Sequence, residues 1–389
     1  MPIVYVALIL PAALLLHIIA GYPLFLALRK GTFRPPVAKD PAFVTTVSVI
    51  VAVHNGEALI RKKLEGILSL DYPPELLSII VVSDGSQDRT EAIVREFAER
   101  GVKLLVAPRG GKAAAVNLGM TAATGEIIFF TDVRQPLDPA CLRQLVANFA
   151  DHTVGAATGE LHLVRGDSGE QLDMDLYWRY EKWARLRHSE IDSLFNATGC
   201  IYAMRRDLSG PIPPDTLLDD AILPLRAFFL GYRVIFDPSA IAFDYPAVAG
   251  TEFRRRLRTL AGLWQVCERL PELFTRRNRM RFHFLSHKFG RLLLPWLIIA
   301  VFFATVALPG SWFRESLLIA FIVWLLLALS NGIVSPTLPL KRLTSPARTF
   351  LVMNVAALAS VAVFFVPARR LWTQTQVNDP TIVPENSGR

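Results

Sequence analysis

The chain has 389 residues, which is enough for one large domain or two ordinary ones. Hydrophobic residues make up 52% of it and the mean hydropathy is +0.35, which excludes an ordinary soluble enzyme and indicates membrane segments. The formal charge of +8 fits nucleic acid, anionic lipid or an anionic small substrate, but Lys/Arg pairs at 29–30, 276–277 and 341–342 adjoin apolar stretches and favour a membrane surface over nucleic acid.

The first apolar run covers residues 3–28 and is followed directly by Arg29 and Lys30. It is long enough to cross a bilayer core, which needs roughly 20 apolar residues. A cleaved signal peptide is the alternative, and it would carry basic residues before the run and a small-x-small cleavage site after it. Since no Lys or Arg precedes the run, residues 1–30 are predicted as an uncleaved transmembrane helix whose basic end stays in the cytosol.

The proline-rich residues 31–45 are predicted as a linker. After them, apolar β-branched runs alternate with segments of helical spacing. The predicted strands are Val47–Val53, 79–82, 103–107 and 127–131, and the predicted helices are 57–70 and 88–100. This alternation predicts a parallel α/β sheet with helices on both faces, and residues 46–250 are assigned to that domain.

Residues 251–290 combine many Arg with Leu, Phe and Trp, and are predicted as amphipathic helices at the membrane interface. Three apolar runs follow within residues 291–368, at 292–308, 317–333 and 350–366. Their basic flanks predict a cytosolic sheet domain followed by three transmembrane segments. Arg369-Arg370, at the start of the tail 369–389, would then lie outside, so either the last segment does not cross fully or the charge rule fails there.

Three cysteines, Cys141, Cys200 and Cys267, occur without CxxC spacing. Their odd number and spacing argue against a disulfide framework or a zinc site, and they are expected to be reduced thiols packed in a cytosolic domain.

Polar residues follow three of the predicted strands: residues 54–57, 83–86 and 131–135. An Asp or Gly after a single strand would be ordinary turn chemistry. Ligands of open α/β sheets bind at the carboxyl ends of the strands, so the recurrence predicts a binding site at that edge.

Six segments occur in a fixed order: VSVIVAVHNGE (47–57), VVSDGSQDRT (81–90), GGKAAAVNLG (110–119), IIFFTD (127–132), TGCIYAMRRD (198–207) and LLDDAILPLR (217–226). In this order and spacing they resemble family 2 glycosyltransferases, above all the membrane-embedded branch of the cellulose, hyaluronan and poly-N-acetylglucosamine synthases. The resemblance covers about residues 45–265. It implies a Rossmann-like GT-A fold and a nucleotide-diphosphate-sugar donor, linked to UDP or GDP.

The resemblance also implies donor-binding residues. Asp84 matches the carboxylate that holds the nucleotide base, and Asn55 and Glu57 match the loop beside it, where this chain has Gly56 in place of a frequent Glu. Lys112 matches a lysine near the phosphates, with a solvated turn lysine as the alternative. The spacing around Lys112 excludes a Walker P-loop.

Asp132 matches the first acid of the family's DxD metal motif, but Arg134 replaces the second acid. Mg²⁺ and Mn²⁺ prefer carboxylate and diphosphate oxygens. Asp132 could suffice together with diphosphate oxygens and waters, or Arg134 could pair with the diphosphate as a fixed cation. The expected cofactor is a divalent cation, Mg²⁺ or Mn²⁺, held by Asp132.

Asp219 and Asp220 match the family's acid pair, whose second member is the general base. An inverting transfer needs this base near the acceptor hydroxyl, opposite the departing diphosphate. Asp219 is expected to hold the acceptor loop or to raise the pKa of Asp220 by like-charge proximity. A simple helix N-terminal acid pair, favoured by the helix dipole, is compatible with the same residues.

The acceptor is expected near Gly199 and Cys200, which match the family's loop under the acceptor terminus. Trp178, Tyr180 and Trp183 precede this loop; their rings suit sugars, and plain core packing is the alternative.

Arg255 and Arg258 resemble the family's (Q/R)xxRW motif, with Thr259 in place of the Trp, which implies contact with the diphosphate. Arg255 could equally face lipid headgroups. Trp264 is a candidate for the missing acceptor-stacking ring, although it lies out of register.

These expectations describe a membrane-bound inverting glycosyltransferase in the bacterial inner membrane, with its catalytic domain in the cytosol. The acceptor is either a lipid or lipid-linked saccharide that receives one sugar, or a growing polysaccharide, and further biosynthetic subunits are compatible with both. Four spans are few for a polysaccharide channel. A non-catalytic membrane scaffold with the same fold is the rival interpretation, and the retained Asp84, Asp132 and Asp220 argue against it.

Overall fold

The computed structural model describes residues 2–29, 34–165, 170–171, 176–245, 251–335 and 337–371. Residues 31–33 of the predicted linker and most of the predicted tail, from residue 372 onward, lie outside the described residues. The chain divides into two compact units. We call residues 31–249 the sheet unit, and residues 1–30 together with 250–373 the helical unit.

The described part of the sheet unit forms eight strands. They are β1 (Val47–Val53), β2 (Leu77–Asp84), β3 (Val102–Ala107), β4 (Ile127–Phe130), β5 (Val154–Arg165), β6 (Glu170–Gln171), β7 (Tyr202–Arg205) and β8 (Arg233–Asp244). Their order is β3-β2-β1-β4-β7-β5-β6, and β8 also pairs with β5.

The sheet is mixed, because strands that were not predicted from the sequence add antiparallel pairs to the parallel ones. Strands β1 to β4 are parallel, as predicted, but β7 runs antiparallel to both β4 and β5. β7 is a four-residue strand inside the TGCIYAMRRD segment, and it follows the predicted acceptor loop at Gly199 and Cys200. A strand this short carries too little periodicity to be recognised from sequence.

The described residues form fourteen α-helices. They are α1 (Pro2–Leu16), α2 (Tyr22–Leu28), α3 (Glu57–Leu68), α4 (Thr90–Arg95), α5 (Lys112–Ala122), α6 (Cys141–Val146), α7 (Leu176–Ile191), α8 (Asp219–Phe229), α9 (Thr251–Arg269), α10 (Arg281–His283), α11 (Gly290–Val306), α12 (Trp312–Ser330), α13 (Lys341–Ser360) and α14 (Ala368–Leu371).

The core of the sheet unit lies between the sheet and its helices. β1 is buried along almost its whole length, as expected for a strand covered on both faces. On α3, Ile60, Leu64 and Ile67 form a buried stripe with helical spacing against this sheet. These apolar contacts fix where each strand ends, and therefore where the polar loops begin.

Four segments of the described helical unit are long and apolar enough to cross a membrane: Val4–Leu28, Arg281–Val306, Trp312–Ser330 and Lys341–Phe364. The first coincides with the predicted run 3–28, and joins α1 to α2 through a π-helical stretch, His17–Gly21. The other three begin before the predicted starts at 292, 317 and 350, because each helix continues through the charged residues on its amino-terminal side.

Candidate functional site

The polar loops meet at one edge of the sheet. β1 pairs in register with β2 on one side and with β4 on the other, so the carboxyl ends of these three parallel strands are neighbours. Residues 54–57, 85–90 and 131–135 follow those ends. The predicted convergence of the strand ends is confirmed.

Asn55 and Glu57 are bound to the loop that follows β2. Asn55 adopts a left-handed backbone conformation with φ of 48°, and its Oδ1 accepts a hydrogen bond from the Gln87 backbone N–H at 2.9 Å. Glu57 Oε2 accepts from the Arg89 N–H at 2.8 Å. A Cβ at Gly56 would lie 2.5 Å from Val53 Cγ2, so a larger residue would require Val53 to shift. The two predicted donor-binding residues therefore brace this loop.

Asp84 ends β2 and organises a second loop. Its buried carboxylate accepts hydrogen bonds from the Gly110 N–H at 2.6 Å and the Gly111 N–H at 3.0 Å, and it pairs with the Arg109 guanidinium. Gly111 has φ of +90°, a conformation that favours glycine. Since Lys112 begins α5 directly after this turn, Asp84 controls where α5 starts. Its contact with a nucleotide base stays a prediction.

Lys112 lies between two carboxylates. Its Nζ is 2.9 Å from Asp132 Oδ1 and 3.4 Å from Asp219 Oδ1. Burial alone would lower the pKa of Lys112, but Asp132, Asp219 and Asp220 together raise it well above the ordinary value. Burial likewise raises the pKa of Asp132, and the Lys112 ammonium outweighs it and leaves that pKa below the usual range. Both groups are therefore charged at neutral pH.

Asp220 is a half-buried carboxyl group beside a second acid. Burial, followed by the adjacent Asp219 carboxylate, raises the pKa of Asp220 to about 7, although Lys112 opposes the shift. A Cβ added at Gly199 would lie 3.1 Å from Asp220 Oδ2, so the predicted acceptor loop passes directly over this carboxylate. Cys200, next in that loop, is buried, and burial raises the pKa of its thiol, which is inert at neutral pH.

Arg134 forms an ion pair with Asp244, the last residue of β8. Its Nη2 donates to Asp244 Oδ2 at 2.7 Å, and Gln135 Nε2 donates to the same oxygen at 3.0 Å. Asp244 ends β8 and is only 2% exposed. The positive charge at the second position of the DxD motif is therefore compensated by Asp244.

The sequence analysis did not identify Lys63. This buried side chain donates from Nζ to Thr131 Oγ1 at 2.7 Å and to the Gln135 carbonyl at 2.6 Å, so it clamps the turn that carries Asp132 on both sides. Burial lowers the pKa of Lys63 to about 8. A signal was present, because Lys63 interrupts the apolar stripe of α3.

Tyr202 on β7 was also missed. It is 0% exposed, its ring stacks on Phe130 at a centroid distance of 4.6 Å, and burial with the charges of Asp219, Asp220 and Asp132 raises its pKa well above the usual value. An aromatic residue in a strand looks like ordinary core, so the sequence offered no signal.

The remaining predicted residues lie on helices. Trp178, Tyr180 and Trp183 belong to α7 of the sheet unit, where the rings of Tyr180 and Trp183 are 5.9 Å apart. Arg255, Arg258 and Trp264 belong to α9 of the helical unit. Trp264 Nε1 donates to Ser360 Oγ of α13 at 3.1 Å, which holds the ring within that unit. The substrate contacts of these side chains stay predictions.

The fit of a divalent cation rests on few protein ligands. Within the described residues, no group of three or more His, Cys, Asp or Glu side chains is arranged to hold a metal. Asp132 and Asp219 nevertheless each direct one oxygen at the same Lys112 ammonium. A hard cation at that place would have two carboxylates available and would complete its shell with substrate oxygens and waters.

Comparison with known proteins places this site in a family context. Residues 48–210 match the glycosyl transferase family 2. The probable glycosyltransferase YdaM of Bacillus subtilis is 28% identical over 257 residues, which cover 61% of this chain and 60% of that protein. The β-monoglucosyldiacylglycerol synthase of Synechocystis is 29% identical over 202 residues, 48% of this chain and 41% of that protein. The chain thus spans 60% or less of the length of these relatives.

Among solved structures, the mannosyltransferase PcManGT from Pyrobaculum calidifontis, in complex with GDP-Man and Mn²⁺, is similar with a TM-score of 0.71. The two sequences are 25% identical, and the match covers 93% of this chain and 99% of that chain. The likeness therefore extends well beyond residues 48–210.

Proposed function

Because residues 48–210 form a family 2 glycosyltransferase domain and the sheet unit has the GT-A fold, we propose that the protein is a membrane-bound inverting glycosyltransferase that uses a nucleotide-diphosphate-sugar. One observation carries the proposal. Asp220, with a pKa raised to about 7, lies beside a second acid and a lysine at the carboxyl edge of the sheet. An enzyme base works best when its pKa is near the working pH.

In the proposed reaction, the acceptor oxygen attacks the anomeric carbon of the donor sugar, and the bond from that carbon to the nucleoside diphosphate breaks. Asp220 takes the proton of the acceptor hydroxyl, and the glycine at position 199 lets the loop approach this carboxylate without a side chain in between. Lys112 faces the departing diphosphate with a fixed positive charge. A bound divalent cation would neutralise further charge on the diphosphate.

The donor is proposed to be a GDP- or UDP-linked sugar, and the cation Mn²⁺ or Mg²⁺. The similar PcManGT was solved with GDP-Man and Mn²⁺, which supports a GDP-linked sugar and Mn²⁺. Asn55, Glu57 and Asp84 would contribute mainly through the two loops they brace, since their oxygens already accept backbone hydrogen bonds. Arg255 and Arg258 are proposed to meet the leaving diphosphate.

The acceptor is proposed to be a lipid or a lipid-linked saccharide. Four apolar helical segments support a membrane location, and one relative is named a β-monoglucosyldiacylglycerol synthase, whose product is a glycosylated lipid. The basic residues that flank these segments support a cytosolic sheet unit. An uncharged hydroxyl suits Asp220, because an ionised phosphate acceptor would need no base and would be repelled by Asp219 and Asp220.

The test uses the full-length protein in liposomes that contain diacylglycerol and total bacterial lipid, with a panel of radiolabelled UDP- and GDP-sugars. We expect one donor to label the lipid fraction with inversion at the anomeric carbon, and Asp220→Asn to abolish the label. Binding of a nucleotide sugar without transfer or hydrolysis, for the whole panel, would favour the scaffold interpretation.

A further inference from the structure

We propose that Asp219 is the second protein ligand of the divalent cation, in place of the acid that Arg134 replaces, and that Lys112 occupies the cation position until the donor arrives. The inference rests on the proposed function and deepens its metal site. The first observation is geometric. One ammonium lies 2.9 Å from an Asp132 oxygen and 3.4 Å from an Asp219 oxygen, so the two carboxylates already converge on one cation.

The second observation is an unused oxygen. Asp219 is only 5% exposed, yet its Oδ2 has no hydrogen-bond partner among the described residues. A buried carboxylate oxygen without a partner costs about 1–3 kcal/mol or more, so such atoms usually serve a ligand. Asp132 is 37% exposed at its side chain, which leaves the cluster open to solvent on that side.

Tyr202 supplies a third observation. Its hydroxyl is buried and has no hydrogen-bond partner in the part of the chain that the structure describes. Burial, followed by the charges of Asp219, Asp220 and Asp132, raises the pKa of this hydroxyl, so it keeps its proton. A phenol O–H can donate to a carboxylate or to a ligand water, and here it is available to hold the ligand shell in place.

Charge balance favours a cation here. Asp132, Asp219 and Asp220 act together on one ammonium, that of Lys112. Lys63 and Arg134 also act on Asp132, and Arg185 acts on Asp220, so the negative charge of the cluster is partly offset. The two carboxylates that face Lys112 would repel a nucleoside diphosphate, whereas a divalent cation bound between them would attract it. Arg134 itself is paired with Asp244.

In the absence of substrate, Lys112 compensates the charge of the two proposed metal ligands. Its ammonium balances Asp132 and Asp219 in the absence of metal, and moves to diphosphate oxygens when donor and cation bind together. Metal alone must therefore displace an ion pair, so it binds weakly, and metal and donor bind cooperatively. Lys112 would therefore block the metal site when metal and donor are absent, which is its guard role, and would contact the diphosphate when both are bound.

The experiment measures Mn²⁺ binding to the full-length protein in detergent by electron paramagnetic resonance, without nucleotide. We expect weak binding to the parent protein, and at least tenfold tighter binding to Lys112→Met, which frees both carboxylates. The double variant Lys112→Met/Asp219→Asn should lose that gain, while Lys112→Met/Asp207→Asn should keep it. Asp207 is an exposed acid of the same unit and serves as the matched control.

Equal Mn²⁺ affinity of Lys112→Met and Lys112→Met/Asp219→Asn would overturn the ligand role of Asp219. Equal affinity of Lys112→Met and the parent would overturn the guard role of Lys112. Thermal melting with and without Mn²⁺ checks folding and gives a second readout, because metal should raise the melting temperature most in Lys112→Met. If Lys112→Met does not fold, Lys112→Gln replaces it. None of these measurements needs a donor sugar, so failure of the proposed function would appear separately in the transfer assay.

Discussion

Replacing Asp220 with Asn should separate catalysis from binding. The amide keeps the size of the side chain but cannot take a proton. Loss of a general base typically costs about 10²–10⁴-fold in rate, or roughly 3–5 kcal/mol of transition-state stabilisation. Nucleotide affinity should change little, because the loops proposed to bind the donor are held by hydrogen bonds to Asp84 and Glu57 and not to Asp220.

The pH dependence follows from the raised pKa of Asp220. With a pKa of about 7, the carboxylate is ionised in about one molecule in eleven at pH 6 and in about ten of eleven at pH 8. Since only the ionised form accepts the proton, the transfer rate of the parent protein should rise about tenfold between pH 6 and 8. The residual rate of Asp220→Asn should lack this rise.

The free energy of unfolding should fall as the pH rises, whereas the transfer rate should rise. The pKa of Asp220 rises from 3.8 to about 7 on folding, so between these values the folded protein holds a proton that the unfolded chain has released. Its stability therefore falls as the pH rises through this window, by about 2–4 kcal/mol after allowance for partial exposure. The Asp220→Asn variant has no carboxyl group to ionise and should not show this fall in stability. The helix dipole stabilises a charged Asp by about 0.3–1 kcal/mol, which is too small to offset the fall in the parent.

Thermal melting of the full-length parent and of Asp220→Asn, each at pH 5 and at pH 8, measures this effect on stability. Asp220→Asn should exceed the parent in stability at pH 8, and the gap should narrow at pH 5. Asp207→Asn, an exposed acid, should show neither effect. Transfer by Asp220→Asn at a rate close to that of the parent, with an unchanged pH profile, would remove Asp220 from the base role.

Three further predictions concern the donor side of the site. Asp84→Ala should weaken nucleotide binding at least tenfold by calorimetry, because the Gly110 and Gly111 N–H groups lose their acceptor and the turn before Lys112 loosens; an unchanged affinity would show that the loop does not bind the donor. EDTA should abolish transfer and Mn²⁺ or Mg²⁺ should restore it, whereas full activity of metal-free protein would instead assign the diphosphate to Arg134. Arg134→Ala should lower the free energy of unfolding by about 3–5 kcal/mol in denaturant titrations, because Asp244 stays buried without its ion pair, and Arg134→Ala/Asp244→Ala should recover part of that loss.

Much of the sheet could be predicted because its strands are apolar on both faces. The strand Val47–Val53 was predicted with its observed bounds, and the strands at Leu77–Asp84 and Val102–Ala107 to within two residues at each end. A run of β-branched residues between polar loops leaves little freedom in where such a strand begins and ends. The carboxyl edge, and with it the neighbourhood of Asp84 and Asp132, followed from that pattern.

The pairing of charges could not be predicted, because it depends on the order of strands that are distant in sequence. Arg134 and Asp244 are brought together by β8, which pairs with β5 on the far side of β7. Lys112 and Asp219 meet because α5 and α8 both begin at the same edge. Local sequence carries the residue types, and only the sheet order decides which acid meets which base.

The altered DxD motif illustrates the consequence. Along the sequence, an Arg at position 134 looks like the loss of a metal ligand, since it replaces a negative charge with a positive one. In the folded sheet, that arginine forms an ion pair with Asp244. The cluster around Lys112 still contains three carboxylates. If Asp219 is a metal ligand as proposed, the substitution would change which acid reaches the cation more than it would change the charge around the cation. Under the proposed role of Asp219, such a site would lose one residue of a linear motif and keep its chemistry, because α8 brings another carboxylate to the Lys112 ammonium that Asp132 also contacts.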